Sequence, residues 1–220
     1  MKKLVIFGSG EIGQLAHFYF STDSAYSVVG FTVDEAFLPG DKYCNLPMVA
    51  FERLESRFPP GEHSLFVAIG YSQLNELRAR KVAEGRAKGY SLASYVSTRA
   101  TVLTQEPMGD NCFVFENNTI QPFAKIGTDV TLWSGNHIGH HSTIGDDCFI
   151  TSHVVVSGGV KVGNKCFIGV NATLRDHIVI GDRCVIGAGA VIMADAAPGS
   201  VFRPAATEVS PVPSSRLRHL

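Results

Sequence analysis

Residues 138–150 read IGHHSTIGDDCFI, with isoleucine at every sixth position and glycine directly after the first two. When this six-residue spacing is continued in both directions, an aliphatic residue or Met occupies every sixth position seventeen times in succession. At a hydrophobic content of 45%, such a run has odds of about 1 in 10⁶, so it is an internal repeat. The positions are Val96, Val102, Met108, Val114, Ile120, Ile126, Leu132, Ile138, Ile144, Ile150, Val156, Val162, Ile168, Leu174, Ile180, Ile186 and Ile192.

The residues around these positions fit a coil with one inner side. Gly follows directly at eight of the seventeen positions, where a tight corner without a Cβ would need it. Residues two before each position are mostly small or apolar, and strand alternation points them to the same side. Cys148, Cys166 and Cys184 hold this inner position at spacings of 18. We therefore expect a column of buried thiols there, and neither a nucleophile nor a metal cluster.

This period-six pattern resembles the hexapeptide-repeat acyltransferases, roughly over residues 96–192. The resemblance implies a left-handed parallel β-helix with three hexapeptides per triangular coil. The hand is taken from the family, because parallel crossovers are otherwise right-handed. We predict an N-terminal domain at 1–95, a β-helix acyltransferase domain at 96–195 and a C-terminal tail at 196–220.

The residues before the repeat predict a small α/β unit. A strand at 4–7 leads into Gly8-Ser9-Gly10-Glu11-Ile12-Gly13 and a helix through about Phe20. A second strand at 28–33 ends at Asp34, and a third at 65–69 precedes Gly70 and a helix at 73–88. This is the G-x-G-x-x-G fingerprint in its strand-turn-helix context. The predicted fold class is mixed: a small Rossmann-like α/β domain, then a left-handed parallel β-helix.

By itself, the glycine fingerprint suggests NAD, with Asp34 on a ribose hydroxyl. Joined to the repeat, it resembles the bacterial nucleotide-sugar acyltransferases, which include N-acetyltransferases of UDP- or dTDP-linked amino sugars and sialic acid O-acetyltransferases. In that family the small domain holds the nucleotide of the sugar. The resemblance implies that Gly10, Glu11 and Ile12 line the diphosphate and sugar. It places Asp34 at the base or ribose and Gly70 at the nucleotide.

The same resemblance implies a general base at His140, which opens a hexad of the form His-x-x-x-Ile-Gly. Imidazole would remove a proton from the attacking amine or hydroxyl. Gly158 would donate its N–H to the oxyanion, or it serves only a turn. His141 stands where amino-sugar members commonly carry Glu, and it can hydrogen-bond but supplies no carboxylate charge. His153 is the alternative base, and Trp133 either walls the sugar or acyl pocket or packs at an interface.

Acetyl-CoA, or another acyl-CoA, is the co-substrate that the resemblance implies. Val170 and Ala188 match family positions whose backbone contacts the pantetheine arm, and Lys165, Arg183 and Arg203 are candidates for the phosphates. We expect a homotrimer, because the family's active sites form between neighbouring β-helices. His141 and His177 share a corner column but lie a whole coil apart, so no metal site is predicted.

Composition excludes several other classes of protein. The 19 basic and 20 acidic residues give a net charge of −1, which argues against nucleic-acid or membrane-surface partners. No apolar run approaches the roughly 18 residues of a membrane helix. The apolar stretch at residues 4–7 is too short for an export signal. Five cysteines without tight spacing predict neither disulfides nor zinc and fit a reducing cytoplasm.

The sequence thus predicts a cytoplasmic N-acyltransferase that uses acyl-CoA in a ternary complex. Its expected acceptor is a UDP- or dTDP-linked amino sugar for surface polysaccharide, such as lipopolysaccharide O-antigen, or for glycoprotein. An O-acetyltransferase of the same fold is the nearest alternative. An NAD-dependent oxidoreductase and a non-catalytic scaffold are the alternatives from other classes.

Overall fold

The computed structural model describes residues 2–203 and 207–216. A mixed sheet with helices comes first in the chain, and a β-helix of two-residue strands follows. The predicted C-terminal tail, residues 196–220, includes residues 204–206 and 217–220, which lie outside the described residues.

The N-terminal sheet has six strands, and all neighbours run parallel except one hairpin. The strands are Lys2–Phe7 (β1), Tyr26–Val33 (β2), Lys42–Tyr43 (β3), Leu46–Ala50 (β4), His63–Val67 (β5) and Ser91–Leu92 (β6). Their order across the sheet is β3-β4-β2-β1-β5-β6. The helices are Glu11–Thr22 (α1), Leu54–Arg57 (α2) and Glu76–Ala87 (α3), with 3-10 turns at Glu35–Phe37, Phe51–Arg53 and Ser214–Arg216.

The predicted strands and helices of this part correspond to β1, α1, β2, β5 and α3. The last four residues of β1 are buried, because a central parallel strand is covered on both faces and is therefore a continuous apolar run. Strands β3, β4 and β6 and helix α2 were not predicted. The β3–β4 hairpin turns at Cys44 and Asn45, whose φ angles are 47° and 62°, as a two-residue hairpin turn requires.

The β-helix has three faces of parallel two-residue strands. Face 1 holds Tyr95–Val96, Phe113–Val114, Thr131–Leu132, Phe149–Ile150, Phe167–Ile168, Val185–Ile186 and Val201–Phe202. Face 2 holds Thr101–Val102, Thr119–Ile120, His137–Ile138, Val155–Val156, Thr173–Leu174 and Val191–Ile192. Face 3 holds Lys125–Ile126, Thr143–Ile144, Lys161–Val162 and Val179–Ile180. The pairing of His137 with Val155 and of Thr131 with Phe149 confirms the 18-residue coil.

The repeated aliphatic side chains fill the interior of the β-helix. All positions of the period-six run from Val114 to Ile192 are buried. Val96 and Val102 are exposed, because the first coil has no coil before it to cover them. The predicted cysteine column is confirmed: Cys148, Cys166 and Cys184 are buried free thiols.

The corner glycines are needed for their lack of a Cβ, as predicted, and the structure shows what a Cβ would meet. A Cβ on Gly139 would lie 2.6 Å from the backbone nitrogen of Gly158 in the next coil, so glycine is required by the close approach of successive coils. The left-handed residue of each corner stands two positions later, as at His141 with φ 59° and Asp147 with φ 58°.

Helix α3 joins the N-terminal sheet to the corner between faces 3 and 1. Buried Arg78 donates from Nε to both carboxylate oxygens of Asp129 at 2.9 Å, and from Nη2 to the Asp129 carbonyl at 2.8 Å. Asn111 donates to the Asp129 carboxylate at 2.7 Å and also accepts from the N–H of Val67 at 2.8 Å. This network holds the end of β5 against the β-helix.

Candidate active site

A pocket of about 650 Å³ lies at the carboxyl ends of β1, β2 and β5. Ligands of open parallel sheets bind at this edge. The lining includes the glycine turn Gly8–Ile12, Asp34 and Phe37 after β2, and Ala68–Gly70 after β5. The predicted substrate residues Gly10, Glu11, Ile12, Asp34 and Gly70 therefore lie together in one cavity.

The three glycines of the turn have different surroundings. Gly8 has φ 127°, and a Cβ there would lie 2.5 Å from the carbonyl oxygen of Ala68. A Cβ on Gly13 would lie 2.4 Å from the carbonyl oxygen of Gly8, so the third glycine lets α1 pack closely on the turn. A Cβ on Gly10 would meet nothing within 4 Å. Gly10 caps α1, and its carbonyl oxygen accepts from the N–H of Gln14 at 3.1 Å. Its own N–H has no acceptor among residues 2–203 and 207–216, and Gly10 lines the pocket.

The acidic residue after β2 is held by a buried lysine. Asp34 Oδ1 lies 2.7 Å from Nζ of Lys81, which also pairs with Glu84 at 2.6 Å. Burial acts to lower the pKa of Lys81, but the hydrogen bonds to Asp34 and Glu84 raise it above its ordinary value. The ammonium thus stays charged and fixes one carboxylate oxygen of Asp34.

Phe37 is a pocket residue that sequence reasoning missed. Its side chain is 74% exposed and lines the cavity beside Asp34. An exposed aromatic ring on a pocket wall can stack on a planar base. The available signal was an apolar residue in the loop directly after the strand-ending Asp34.

A second pocket, of about 470 Å³, lies between the N-terminal sheet and the corner that joins faces 1 and 2. It shares Glu11, Ile12 and Gly70 with the first pocket. From the β-helix it is lined by Trp133, Phe149, Thr151, Ser152 and Val170. The indole Nε1 of Trp133 is buried and has no hydrogen-bond partner within the described residues. An unpaired buried donor is costly, and this one belongs to a residue on the wall of the second pocket.

His140 and His141 lie at a different corner, between faces 2 and 3. The imidazole of His140 covers Gly158 of the next coil, where an added Cβ would lie 2.6 Å from Nε2. The backbone N–H of Gly158 donates to no protein acceptor among residues 2–203 and 207–216. The backbone N–H of His140 donates to Oε1 of Gln121 at 2.9 Å. The predicted base and oxyanion donor are thus adjacent, and the side chain of His140 is exposed.

The structure does not bring all the predicted residues together at one site. His140 lines neither of the two pockets. Val170 lies in the second pocket, and Ala188 follows it one coil later at the corner of faces 1 and 2. His153 also lies at that corner, with its ring over Gly135. The sites predicted for the acyl donor therefore fall on two corners.

Two of the phosphate candidates already have partners. Lys165 Nζ lies 2.9 Å from Glu76 Oε2, and Arg183 pairs with the other oxygen of the same carboxylate. These ion pairs join α3 to the β-helix, so the positive charges of Lys165 and Arg183 are neutralised by Glu76. Arg203 is exposed. In the described part of the chain, no three His, Cys, Asp or Glu side chains cluster so that they could hold a metal ion.

None of the helices in the described residues has the length and apolar character needed to cross a membrane.

Comparison with known proteins identifies the repeat and the fold. The bacterial transferase hexapeptide (six repeats) family matches residues 123–158 and 159–194. No curated protein matches the chain by sequence.

Three solved structures share the fold over nearly the whole chain. The acetyltransferase domain of PglB from Neisseria gonorrhoeae has a TM-score of 0.80 and 22% identity, covering 91% of this chain and 96% of its own. A variant of perosamine N-acetyltransferase from Caulobacter crescentus, in complex with CoA and GDP-perosamine, has a TM-score of 0.79 and 24% identity, covering 90% and 92%. WeeI from Acinetobacter baumannii has a TM-score of 0.76 and 18% identity, covering 90% and 94%. The predicted mixed fold with a left-handed β-helix is confirmed.

Proposed function

We propose that the protein is an acyl-CoA-dependent N-acyltransferase that transfers an acetyl group to a nucleotide-linked amino sugar. One observation carries the proposal: a pocket built on a glycine turn accompanies an accessible His140–Gly158 pair on a hexapeptide β-helix. The relatives of this fold include an acetyltransferase domain and a perosamine N-acetyltransferase bound to CoA and GDP-perosamine.

The first pocket suits the nucleotide diphosphate of the acceptor. Backbone N–H groups at the start of a helix attract a diphosphate, and the open space at Gly10 lets one approach. The second oxygen of Asp34 is available to a base or ribose donor, with Phe37 beside it. We expect UDP or dTDP, and because one relative binds GDP-perosamine, GDP belongs in the test.

The His140–Gly158 corner suits acyl transfer by direct attack. His140 Nε2 takes a proton from the amine as the amine nitrogen bonds to the thioester carbonyl carbon. The Gly158 N–H donates to the resulting oxyanion. The C–S bond then breaks, and His140 returns the proton to the thiolate of CoA. No acyl-enzyme forms, so acceptor and acyl-CoA bind together.

We further propose that the working enzyme is a homotrimer whose sites form between protomers. The nucleotide pocket and Val170 lie beside the corner of faces 1 and 2, whereas His140 lies at the corner of faces 2 and 3. A sugar held in the pocket of one protomer would therefore meet the His140 of its neighbour. The five free thiols fit a reducing compartment, so we place the reaction in the cytoplasm.

The test is a ligand screen by thermal melting. A ligand that binds only the folded state raises the melting temperature. UDP-, dTDP- or GDP-linked amino sugars and CoA should each stabilise the protein, and Gly10→Val should remove the response to the nucleotide alone. Stabilisation by NAD, with none by CoA or nucleotide sugars, would contradict the proposal.

Turnover then identifies the acceptor. Release of CoA thiol from acetyl-CoA is followed with the stabilising nucleotide sugars, each as the amine and as the matching hydroxyl compound. Turnover of the amine supports N-acylation. Turnover of the hydroxyl compound alone would make the protein an O-acetyltransferase.

A further inference from the structure

The corner between faces 2 and 3 holds two imidazoles joined by one hydrogen bond. Nδ1 of His140 lies 3.1 Å from Nδ1 of His141, and the rings are nearly perpendicular, at 84°. A neutral imidazole carries one N–H and one acceptor nitrogen. One proton therefore bridges the two Nδ1 atoms, and only one of the rings donates it.

The bridging proton decides whether His140 can act as a base. Nε2 of His140 is the ring nitrogen nearest to Gly158, and it is the atom that would meet substrate. When His140 donates the bridge, its Nε2 has a free electron pair. When His141 donates it, Nε2 of neutral His140 must carry the proton and cannot accept another.

The ring of His141 is itself held by an aromatic neighbour. The rings of Phe123 and His141 have centroids 4.7 Å apart and are inclined by 34°. Phe123 has φ 64° and is 59% exposed. A bulky residue in the left-handed region is strained and signals a functional constraint. The other left-handed corners of the described β-helix hold Gly, Asn, Asp, His, Lys or Arg.

The coils on either side of the pair present no charged group at this corner. Gln121, Pro122 and Phe123 lie in the coil before it, and Ser157, Gly158 and Gly159 in the coil after it. The titratable side chains of the surrounding elements are His137 on face 2, Lys125 and Lys161 on face 3, Glu106 near Phe123, and Asp176 and His177 two coils after His140 and His141. The ring of His177 lies over Gly159, in the coil that directly follows the pair. Neither ring has an ion-pair partner within the described residues. Each imidazole is thus the side-chain polar partner of the other at this corner.

We propose that His141 is a positioning residue that fixes His140 in its basic tautomer and shares its proton, with Phe123 holding His141 in place. This inference rests on the proposed function. As His140 Nε2 accepts the proton of the attacking amine, the bridging proton passes from Nδ1 of His140 to Nδ1 of His141. Both protons return when the thiolate of CoA is protonated, so the pair ends unchanged. One additional proton on the pair occupies both Nε2 atoms and removes the base.

The test is the pH dependence of kcat/KM for acetyl transfer in four variants. His141→Gly should lower kcat by on the order of 10²-fold, because the tautomer of His140 is no longer fixed. Glycine fits the left-handed backbone there, as Gly159 does in the next coil at φ 68°. His141→Gln, whose amide oxygen can accept from Nδ1–H, should recover part of the rate. His141→Glu should move the acidic limb of the profile to higher pH, because a carboxylate stabilises the imidazolium.

The fourth variant, Phe123→Asn, should lower kcat in the same direction as His141→Gly but by less. Asn suits the backbone of residue 123, since Asn111 and Asn117 hold left-handed corners elsewhere. Leu103→Ala is the matched control, because Leu103 is an exposed apolar residue that lines the same cavity as Phe123. It should leave rate and profile unchanged.

A second readout does not depend on activity. Histidine ¹⁵N NMR of the intact protein should show the Nδ1–H tautomer for His140, and His141→Gly should shift it toward the Nε2–H form. A wild-type rate and profile in His141→Gly, or an unchanged His140 tautomer, would overturn the inference while leaving acyl transfer in place. If the wild type acylates no nucleotide sugar, the proposed function fails instead, and the NMR result still decides the tautomer.

Discussion

Gly8, Gly10 and Gly13 occupy a single turn but respond to different constraints. Gly8 has a left-handed backbone and lies too close to Ala68 for a Cβ, and Gly13 lies too close to Gly8. Gly10 faces open space. The first and third glycines therefore serve folding, and we propose that the second serves the ligand. This division follows the logic of glycine turns that hold diphosphates.

Substitution of these glycines should separate folding from binding. Gly10→Val should leave the free energy of unfolding nearly unchanged and weaken nucleotide binding by tenfold or more, because the side chain enters the pocket. Gly40→Val is the matched control, since a Cβ on Gly40 also meets nothing within 4 Å and Gly40 is outside the pocket. Gly8→Ala should have a lower free energy of unfolding than Gly10→Val or Gly40→Val. Calorimetric titration and urea denaturation measure the two quantities, and equal binding by Gly10→Val and Gly40→Val would contradict this assignment.

Among the elements, α3 determines how the N-terminal sheet sits on the β-helix. Its Arg78 is buried against Asp129, and its Glu76 pairs with Lys165 and Arg183. Asp147 stands one coil above Asp129 at the same corner. Burial, and then the negative charge of Asp129, raises the pKa of Asp147 to about 7. The corner thus holds one carboxylate fully paired and a second that keeps its proton up to neutral pH.

This arrangement predicts a pH dependence of stability. Between about pH 4 and pH 7, the folded protein holds a proton on Asp147 that the unfolded chain has lost. The contribution of Asp147 to the free energy of unfolding is therefore full below about pH 4. It decreases above pH 4 and is lost as the pH rises through about 7. Asp147→Asn should be more stable than the wild type at pH 8, and the difference should vanish near pH 4. Urea denaturation at the two pH values measures it. A variant less stable than the wild type at pH 8 would contradict the prediction.

The period-six run was sufficient to predict the elements of the β-helix from the sequence, because each coil repeats the same burial pattern. The smaller sheet was predicted only in part. Strands β3 and β6 are two residues long, which is too short for a recognisable alternation. The roles of Lys165 and Arg183 were missed because their partner, Glu76, lies far away in the sequence and meets them only in the folded chain. The Nδ1 contact of His140 with His141 likewise depends on a left-handed corner that the sequence pattern does not reveal.

For the whole molecule, the proposed trimer would bring the first pocket of one protomer to His140 of the next. The pocket lies beside the corner of faces 1 and 2, and the proposed base lies at the corner of faces 2 and 3. A closed ring of copies lets each pocket meet the base of the next protomer. The oligomer would then be part of the catalytic apparatus.

Mixed oligomers test this cooperation. Gly10→Val should be inactive because it lacks the pocket, and His140→Ala because it lacks the base. Co-expression of the two should restore acyl transfer, since some interfaces combine an intact pocket with an intact His140. Size-exclusion chromatography with light scattering checks that the mixed species is a trimer. Mixed trimers without activity would place the pocket and the base of each site in one protomer.

The most direct measurement is mass analysis of the nucleotide sugar after incubation with acetyl-CoA and either the wild type or His140→Ala. The wild type should acetylate the amine of the sugar. His140→Ala should be slower by about 10² to 10⁴-fold, while still binding CoA and the nucleotide with wild-type affinity. An acetylation rate unchanged by His140→Ala would remove His140 from the mechanism, and no acetylation of any nucleotide-linked amino sugar by the wild type would contradict the central claim.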